Sequence, residues 1–230
     1  MSLIESIKRI KVFSDLSDKD VGELTKEVEA LRLKRGDFLY KMGDQAQFVY
    51  IVTVGSVKLV KYHPEGKERI VHFLLRGELF GAMVALNGGV YPLSALALEE
   101  STVLKIKADV FKQVYLNHPK IGQNLIEQIS QRMMSAHDDR LFTIESVDKR
   151  IALFLVELLD RVQKIYGQTS RINLPLTKQD IADKVASTVE TVIRIMGKWT
   201  KQKLVIVKDR YVEIPDVVQF KKNFDIETSL

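Results

Sequence analysis

The chain contains no cysteine among its 230 residues. Disulfides, thiolate zinc sites and cysteine-held iron–sulfur clusters are therefore excluded. The sequence also has no apolar run of about 18 residues, the length that a membrane-spanning helix needs, and its N-terminus has no signal-peptide core. These absences predict a cytoplasmic protein with no membrane span.

Recognisable catalytic patterns are also missing. The sequence has no Ser, His and Asp set for nucleophilic catalysis, no phosphate loop of the G-x-x-x-x-G-K-[ST] type and no cluster of metal ligands. Gly88-Gly89 is a lone pair that is more simply interpreted as a turn. The sequence therefore predicts a protein that is not an enzyme and has no metal site.

The charge of the chain is concentrated at its C-terminal end. A length of 230 residues with 46% hydrophobic and 28% charged residues is typical of a globular protein with two domains. Residues 149–230 carry 15 Lys and Arg against 10 Asp and Glu, which accounts for the whole net charge of +5. A basic domain beside a neutral one indicates a module that contacts phosphates.

Residues 176–194, L-T-K-Q-D-I-A-D-K-V-A-S-T-V-E-T-V-I-R, predict two short helices joined by a tight turn. Thr177 with Asp180 three residues later has the pattern of a capping box for the first helix. Ala186-Ser187 makes the break, and Ser187 with Glu190 is a second capping pattern that predicts the start of the second helix. On that helix, the apolar residues at helical spacing are Val192, Ile195, Met196 and Trp199, and the charged residues on another face are Glu190, Arg194, Lys198 and Lys201.

Residues 205–214 predict a hairpin of two short strands around Lys208-Asp209-Arg210. Helix, turn, helix and hairpin together form a winged helix, whose second helix can enter a DNA major groove. Arginine can bond guanine O6 and N7, and a carboxylate can accept from cytosine N4. The alternative is an ordinary helical hairpin with a solvated charged face. The expected DNA-contacting residues are Lys178, Thr188, Val189, Glu190, Thr191, Arg194, Lys198, Lys201, Lys208 and Arg210.

The N-terminal half has a different texture. Residues 3–30 predict two helices, with Ser17 as the N-cap of the second. From residue 30 to about residue 107, short β-branched runs alternate with glycine-centred turns such as Gly36-Asp37 and Gly55-Ser56. Turns at intervals of about ten residues predict a small antiparallel barrel or roll.

A long helix is predicted from Pro119 to about Phe142, and a further helix from Lys149 to Tyr166, with residues 143–148 as a hinge. At about 36 Å the long helix exceeds what a small roll needs to cover it. We expect its apolar stripe to be a coiled-coil seam between two copies of the chain, although the stripe could instead pack on its own roll. The residues of this stripe are Ile121, Leu125, Ile129, Met133 and Ala136.

Three segments are the most specific: G-D-x-x-x-x-V-Y-I-V-T-V-G-S-V-K-L from Gly43, R-G-E-L-F-G-A from Arg76, and T-V-E-T-V-I-R from Thr188. With them the chain resembles the cyclic AMP receptor protein and fumarate–nitrate regulator (CRP/FNR) family of bacterial transcription factors. The resemblance implies an α+β fold. It comprises an N-terminal cyclic-nucleotide-binding-like β-roll over residues 1–117, a dimerisation helix and hinge over residues 118–147, and a C-terminal winged helix-turn-helix over residues 148–230.

The resemblance also implies how DNA is read. Glu190 and Arg194 stand where the family's base-reading residues stand. Val189 replaces an arginine of the cyclic AMP branch, and Ile193 a serine that is frequent in the fumarate–nitrate branch. A homodimer is implied, on a palindromic operator whose half-sites contain a G·C pair, similar to TGTGA or TTGA. RNA polymerase is a further partner if the protein is an activator.

The implied effector pocket consists of Phe80, Gly81, Ala82, Met83, Leu93 and Ser94. In relatives that bind cyclic AMP, a Glu stands at the position of Ala82 and an Arg at that of Leu93. A buried phosphate needs a compensating cation. We therefore expect that cyclic AMP is not bound in the usual way, and that the pocket takes a less polar ligand or has collapsed.

Other cofactors and functions are constrained by the same residues. Without cysteine, the iron–sulfur cluster of the fumarate–nitrate branch is excluded. Haem stays open, although single histidines are more often surface or packing residues. The alternative function is a cyclic-nucleotide-type regulatory module that does not act on DNA. The candidate axial ligands for haem are His63, His72, His118 and His137.

Overall fold

The computed structural model describes residues 3–62, 68–141 and 145–226. Its N-terminal part consists of two helices, eight strands with a short helix among them, and two further helices. They are α1 (Leu3–Lys8), α2 (Asp18–Thr25), β1 (Val28–Leu33), β2 (Phe38–Tyr40), β3 (Phe48–Val54), β4 (Val57–Tyr62), β5 (Glu68–Leu74), β6 (Leu79–Phe80), α3 (Ala82–Leu86), β7 (Ser94–Ala97), β8 (Ser101–Lys107), α4 (Ala108–Asn117) and α5 (Pro119–Leu141).

The C-terminal part combines four helices with three short strands. The chain divides into two compact units. The first comprises Met1–Lys61 and Val71–His137, and the second comprises Tyr62–Ile70 and Asp138–Leu230. None of the described helices is both long and apolar enough to cross a membrane. The elements are α6 (Val147–Tyr166), β9 (Arg171–Ile172), α7 (Lys178–Val185), α8 (Val189–Lys201), β10 (Ile206–Lys208), β11 (Tyr211–Glu213) and α9 (Val217–Asn223).

The strands of the N-terminal part form two four-stranded sheets, with the orders β1-β8-β3-β6 and β2-β7-β4-β5. The turn between β3 and β4 requires glycine, because Gly55 has a φ of 74° and a Cβ there would lie 2.6 Å from the Glu100 carbonyl oxygen. The expected β-roll and the α+β class are confirmed. The first strand begins at Val28, two residues before the predicted change of texture.

The helices at the start of the chain pack on this roll. The Ser17 side chain accepts a hydrogen bond from the Asp20 amide and caps α2, as predicted. Between α1 and α2, Phe13 lies edge-on to Phe111 of α4, with ring centroids 6.2 Å apart. Both rings belong to one hydrophobic core that includes residues of both sheets.

The predicted apolar stripe on α5 is wrong at its N-terminal end. Ile121 is only 1% exposed and Leu125 packs partly buried against the same core, so both serve their own unit. The reason is geometric: each step of four residues advances about 40° around a helix, so a stripe spaced four, four and four winds away from a single partner.

Further along α5, the helix does present exposed apolar side chains. Ile126, which the predicted stripe omitted, is 66% exposed, Ile129 is half-buried and Met133 is 60% exposed. The side chain of Ala136 lies outside the described residues. Ile126, Ile129 and Met133 are spaced three and four apart, which is the spacing of a coiled-coil seam.

The predicted hinge is shorter than expected at its C-terminal end. Helix α6 already begins at Val147, so Val147 and Asp148 are helical. Ser146 has the extended backbone of an N-cap, and the hydrogen bond of its side chain lowers the pKa of the Asp148 carboxyl. A negative side chain in the first turn also suits the helix dipole. Residues 143 and 144 of the predicted hinge lie outside the described residues.

Candidate nucleic-acid interface

Helix α7 starts at the predicted capping box. The Asp180 amide donates to Thr177 Oγ1 at 3.0 Å, and the Thr177 amide donates to Asp180 Oδ2 at 2.9 Å. Asp180 is 4% exposed, so these reciprocal bonds satisfy a buried carboxylate. Behind them, Ile181 and Val185 are buried and fix the direction of the helix.

The turn between α7 and α8 differs from the prediction by one residue. Ala186 adopts the left-handed conformation with a φ of 52°, and the Ser187 amide donates to the Ala182 carbonyl at 3.0 Å. Ser187 therefore closes α7 instead of opening α8. The extended backbone of an N-cap falls on Thr188, whose side chain accepts from the Thr191 amide. The predicted start at Ser187 is wrong for this reason.

An arginine that the sequence did not single out holds this turn. Arg150 on α6 donates from Nη1 to the Val185 carbonyl at 2.8 Å and to the Ala186 carbonyl at 3.3 Å. Both carbonyls lie at the C-terminal end of α7, where the last carbonyl groups of a helix have no N–H donor within the helix. Arg150 is thus a positioning residue for the start of α8. No local pattern reveals it, because its partners lie 35 and 36 residues away.

Replacing Arg150 by methionine removes both bonds while keeping an apolar stem. We expect Arg150→Met to lower the free energy of unfolding of the C-terminal unit by about 1–3 kcal/mol. Denaturant unfolding followed by Trp199 fluorescence measures this change. The control is Lys149→Met, which removes only the half-exposed ion pair with Glu145 and should change little. Equal stability of the two variants would contradict the role given to Arg150.

Helix α8 has two distinct faces. Its buried face consists of the predicted residues Val192, Ile195, Met196 and Trp199, each at most 7% exposed. Behind it stands α9, an element that the sequence analysis left unassigned. The Trp199 ring contacts Phe220 and Phe224 there, with centroids 5.5 Å and 4.9 Å away. This packing turns the opposite face of α8 outward.

The outward face carries the predicted charged residues. Glu190, Arg194, Lys198 and Lys201 are all exposed, and the helical repeat places them within an arc of about 80°. At the start of α8, Thr188 is exposed while Val189 and Thr191 are half-buried. A rod of this width with carboxylate and guanidinium groups on one side has the shape and chemistry to read base edges in a major groove.

The predicted hairpin is confirmed, and the structure adds a strand to it. Strands β10 and β11 pair around the two-residue turn Asp209-Arg210, and β9 extends the sheet in the order β10-β11-β9. Strand β9 was missed because it is two residues long. Lys208 and Arg210 are exposed beside the turn.

The predicted DNA-contacting lysines and arginines outside α8 lie on two different elements, the wing and the start of α7. Lys208 and Arg210 lie on the wing, apart from the α8 face. Lys178 lies at the first position of α7, where burial lowers the pKa of its ammonium. Arg171 on β9 pairs with Glu213 at 2.8 Å and lies over the Tyr211 ring, so it stabilises the wing.

The residues of the implied effector pocket differ in how deeply they are buried. Phe80, Ala82 and Ser94 are buried, and Ser94 Oγ accepts from the Met42 amide at 2.9 Å. Gly81 is required, because a Cβ there would lie 3.2 Å from the Phe48 carbonyl oxygen at a φ of 79°. Leu93 is half-buried.

Met83 does not join these buried residues. It lies on α3, the second residue after Gly81, and is 57% exposed, so it does not share the interior with Phe80, Ala82 and Ser94. A five-residue helix turns successive side chains by about 100°, and the burial of Ala82 directs Met83 outward.

The interior beside this segment is occupied by aromatic rings. Tyr40 and Tyr91 stack with centroids 3.7 Å apart, and Tyr50 and Phe80 with centroids 5.5 Å apart. All four are at most 8% exposed, and burial raises the pKa of the Tyr50 and Tyr91 hydroxyls. Tyr91 Oη donates to the Phe48 carbonyl at 2.7 Å. The sequence analysis missed this cluster, whose members come from four separate segments.

The histidines offer little support for haem. His72 Nε2 lies 3.9 Å from Glu78, and His118 Nε2 lies 3.9 Å from Asp20. His63 and the side chain of His137 lie outside the described residues. Within the described part of the chain, no group of three or more histidine or carboxylate residues is arranged to hold a metal ion. The two described imidazoles each face a carboxylate, an ordinary place for a half-buried histidine.

Comparison with known proteins gives consistent similarities. The cyclic nucleotide-binding domain family matches residues 30–118, and the Crp-like helix-turn-helix domain family matches residues 149–222. The transcriptional activator protein Anr of Pseudomonas protegens is 29% identical over 209 residues, which are 89% of this chain and 84% of that protein. The fumarate and nitrate reduction regulatory protein of Vibrio cholerae is 27% identical over 211 residues, 91% and 84% respectively.

A solved structure extends the likeness to the fold. FixK2 from Bradyrhizobium japonicum superposes with a TM-score of 0.75 at 20% identity, covering 88% of this chain and 98% of that one. At this identity the likeness concerns the fold alone.

Proposed function

Because the chain belongs to the cyclic AMP receptor protein and fumarate–nitrate regulator family of DNA-binding transcription regulators, we propose that it acts as a homodimer on a palindromic operator. Its activity is controlled by an effector that is neither cyclic AMP nor a cysteine-held iron–sulfur cluster. RNA polymerase is a further partner if the protein activates transcription.

The exposed face of α8 carries this proposal. Glu190 and Arg194 are exposed one turn apart on a helix whose other face is fixed by the Trp199 cluster. A fixed helix holds both groups in one orientation, so Arg194 can bond a guanine while Glu190 accepts from a cytosine. Lys198, Lys201 and the wing cations Lys208 and Arg210 supply phosphate contacts, which add affinity without sequence preference.

The apolar row on α5 supports the dimer. Ile126, Ile129 and Met133 have coiled-coil spacing, and Ile126 and Met133 are more than half exposed in the single chain. Burial of such residues against a second copy removes apolar area from water. Two copies related by a two-fold axis present two α8 helices, and half-sites about 34 Å apart then fit successive major grooves.

Selection of bound sequences from a random DNA pool tests the proposal. The purified chain is incubated without added ligand and, separately, with cell extract. We expect a palindrome whose half-sites are about ten base pairs apart. No enrichment under either condition, together with affinity for cyclic nucleotides, would support the alternative of a regulatory module that does not act on DNA.

Cyclic AMP itself should have no effect. Leu93 and Ala82 supply neither the cation nor the carboxylate that a cyclic nucleotide needs, and Ser94 Oγ is engaged by the Met42 amide. We expect millimolar cyclic AMP to leave both the thermal unfolding midpoint and operator affinity unchanged. A ligand at 100 times its Kd would stabilise the fold by about 2.7 kcal/mol, so a rise in the midpoint would contradict this expectation.

A further inference from the structure

Ile193 is an exposed apolar side chain at the edge of the charged face of α8, about 60° around the helix from Glu190. It is 53% exposed, whereas Val192, Ile195, Met196 and Trp199 of the same helix are buried. The exposed half of this isoleucine gains nothing from the fold of its own unit. Its position on the face that we propose to enter the groove gives it a role towards DNA.

Gly197 lies one turn further along the same face. The helical repeat places it about 40° around the axis from Ile193 and about 20° from Glu190. A Cβ built on Gly197 would meet no described atom within 4 Å, so internal packing does not require glycine there. Glycine inside a helix is less stable than alanine. Because glycine has no side chain, an external group can approach the helix backbone closely at Gly197.

We propose that Ile193 and Gly197 form an apolar notch that receives the 5-methyl group of a thymine in the operator. The proposal rests on the function proposed above. The thymine methyl is the apolar group that the standard bases present in the major groove, and aliphatic side chains recognise it by contact. The Ile193 side chain forms one wall of the notch, and the bare backbone at Gly197 forms its floor. The notch adds a thymine preference next to the base pair that Glu190 and Arg194 read.

Deoxyuridine tests the notch directly, because it removes the methyl group and leaves every hydrogen-bonding group of thymine in place. Each thymine of the selected operator is replaced in turn, and affinity is measured at fixed salt. We expect one symmetry-related position at which the loss is about fourfold per half-site, the value of one buried methyl group. Ile193→Ser should lower affinity for the thymine operator and abolish the difference between thymine and deoxyuridine at that position.

Gly197→Ala separates binding from stability. Alanine should raise the thermal unfolding midpoint by a few degrees, because it favours the helix. It should nevertheless weaken operator binding by about tenfold, because its methyl group fills the notch. The matched control is Gly22→Ala in α2, where a Cβ also meets nothing within 4 Å. That variant should leave operator affinity unchanged.

The outcomes are distinct. Equal affinity for thymine and deoxyuridine at every position overturns the notch while leaving the proposed function intact. Retention of the methyl effect in Ile193→Ser, or full operator affinity in Gly197→Ala, also overturns it. Failure to select any operator overturns the proposed function and this inference with it.

Discussion

Reversing the charge at Arg194 should abolish sequence-specific DNA binding. Arg194→Glu removes a guanidinium that can bond guanine O6 and N7, and it places a second carboxylate one turn from Glu190 on the exposed face of α8. The new carboxylate also faces the phosphates and their negative field. We expect the ratio of operator to random-DNA affinity to fall to about one. The milder Arg194→Ala should cost roughly 1–3 kcal/mol and relax specificity at one base pair.

The control must change the charge by the same amount elsewhere. Lys222 on α9 is exposed, and α9 packs on Trp199, the side of α8 opposite Arg194. Lys222→Glu should therefore keep its preference for the operator. Binding competitions at two salt concentrations distinguish lost base reading from lost phosphate attraction, since only the latter changes the salt slope. Operator preference retained by Arg194→Glu would remove α8 from the role of recognition helix.

A charge at Ile126 should separate the two copies of the chain. In the proposed seam Ile126 is buried against the second copy, and Ile126→Asp would place two carboxylates in that apolar contact. Burying unpaired charges is costly, so the dimer dissociation constant should rise by about 100-fold or more. Sedimentation equilibrium measures this change. Because Ile126 is 66% exposed in the single chain, the fold of each unit should persist, which circular dichroism checks.

Two other positions on α5 make this test specific. Gln123 is exposed about 60° around the helix from Ile126 and about 80° from Met133, and Gln123→Asp should leave the dimer unchanged. Ile121 belongs to the core of its own unit, so Ile121→Ala should destabilise that unit by about 2–4 kcal/mol. A dimer that survives Ile126→Asp would place the contact between copies elsewhere.

The elements were predictable where their signals are local. The capping box of Thr177 and Asp180 involves residues three apart. The buried residues from Val192 to Trp199 recur with the period of an α-helix. The start of α8 was not predictable to the residue, because Ser187 and Thr188 are adjacent and both are residue types that cap helices. Hydrogen bonding of the Ser187 amide to α7 decided in favour of Thr188.

By itself, then, the sequence determined the order of the main elements, the charged face of α8, the basic wing and the absence of cysteine chemistry. These depend on residue type and short-range periodicity, which are present in the chain before it folds. Only the tertiary structure decided which side of α5 is free, that Arg150 holds the turn before α8, and that four aromatic rings meet beside Phe80. Those features depend on contacts between residues far apart in the chain, and local patterns carry no information about which distant side chains will meet.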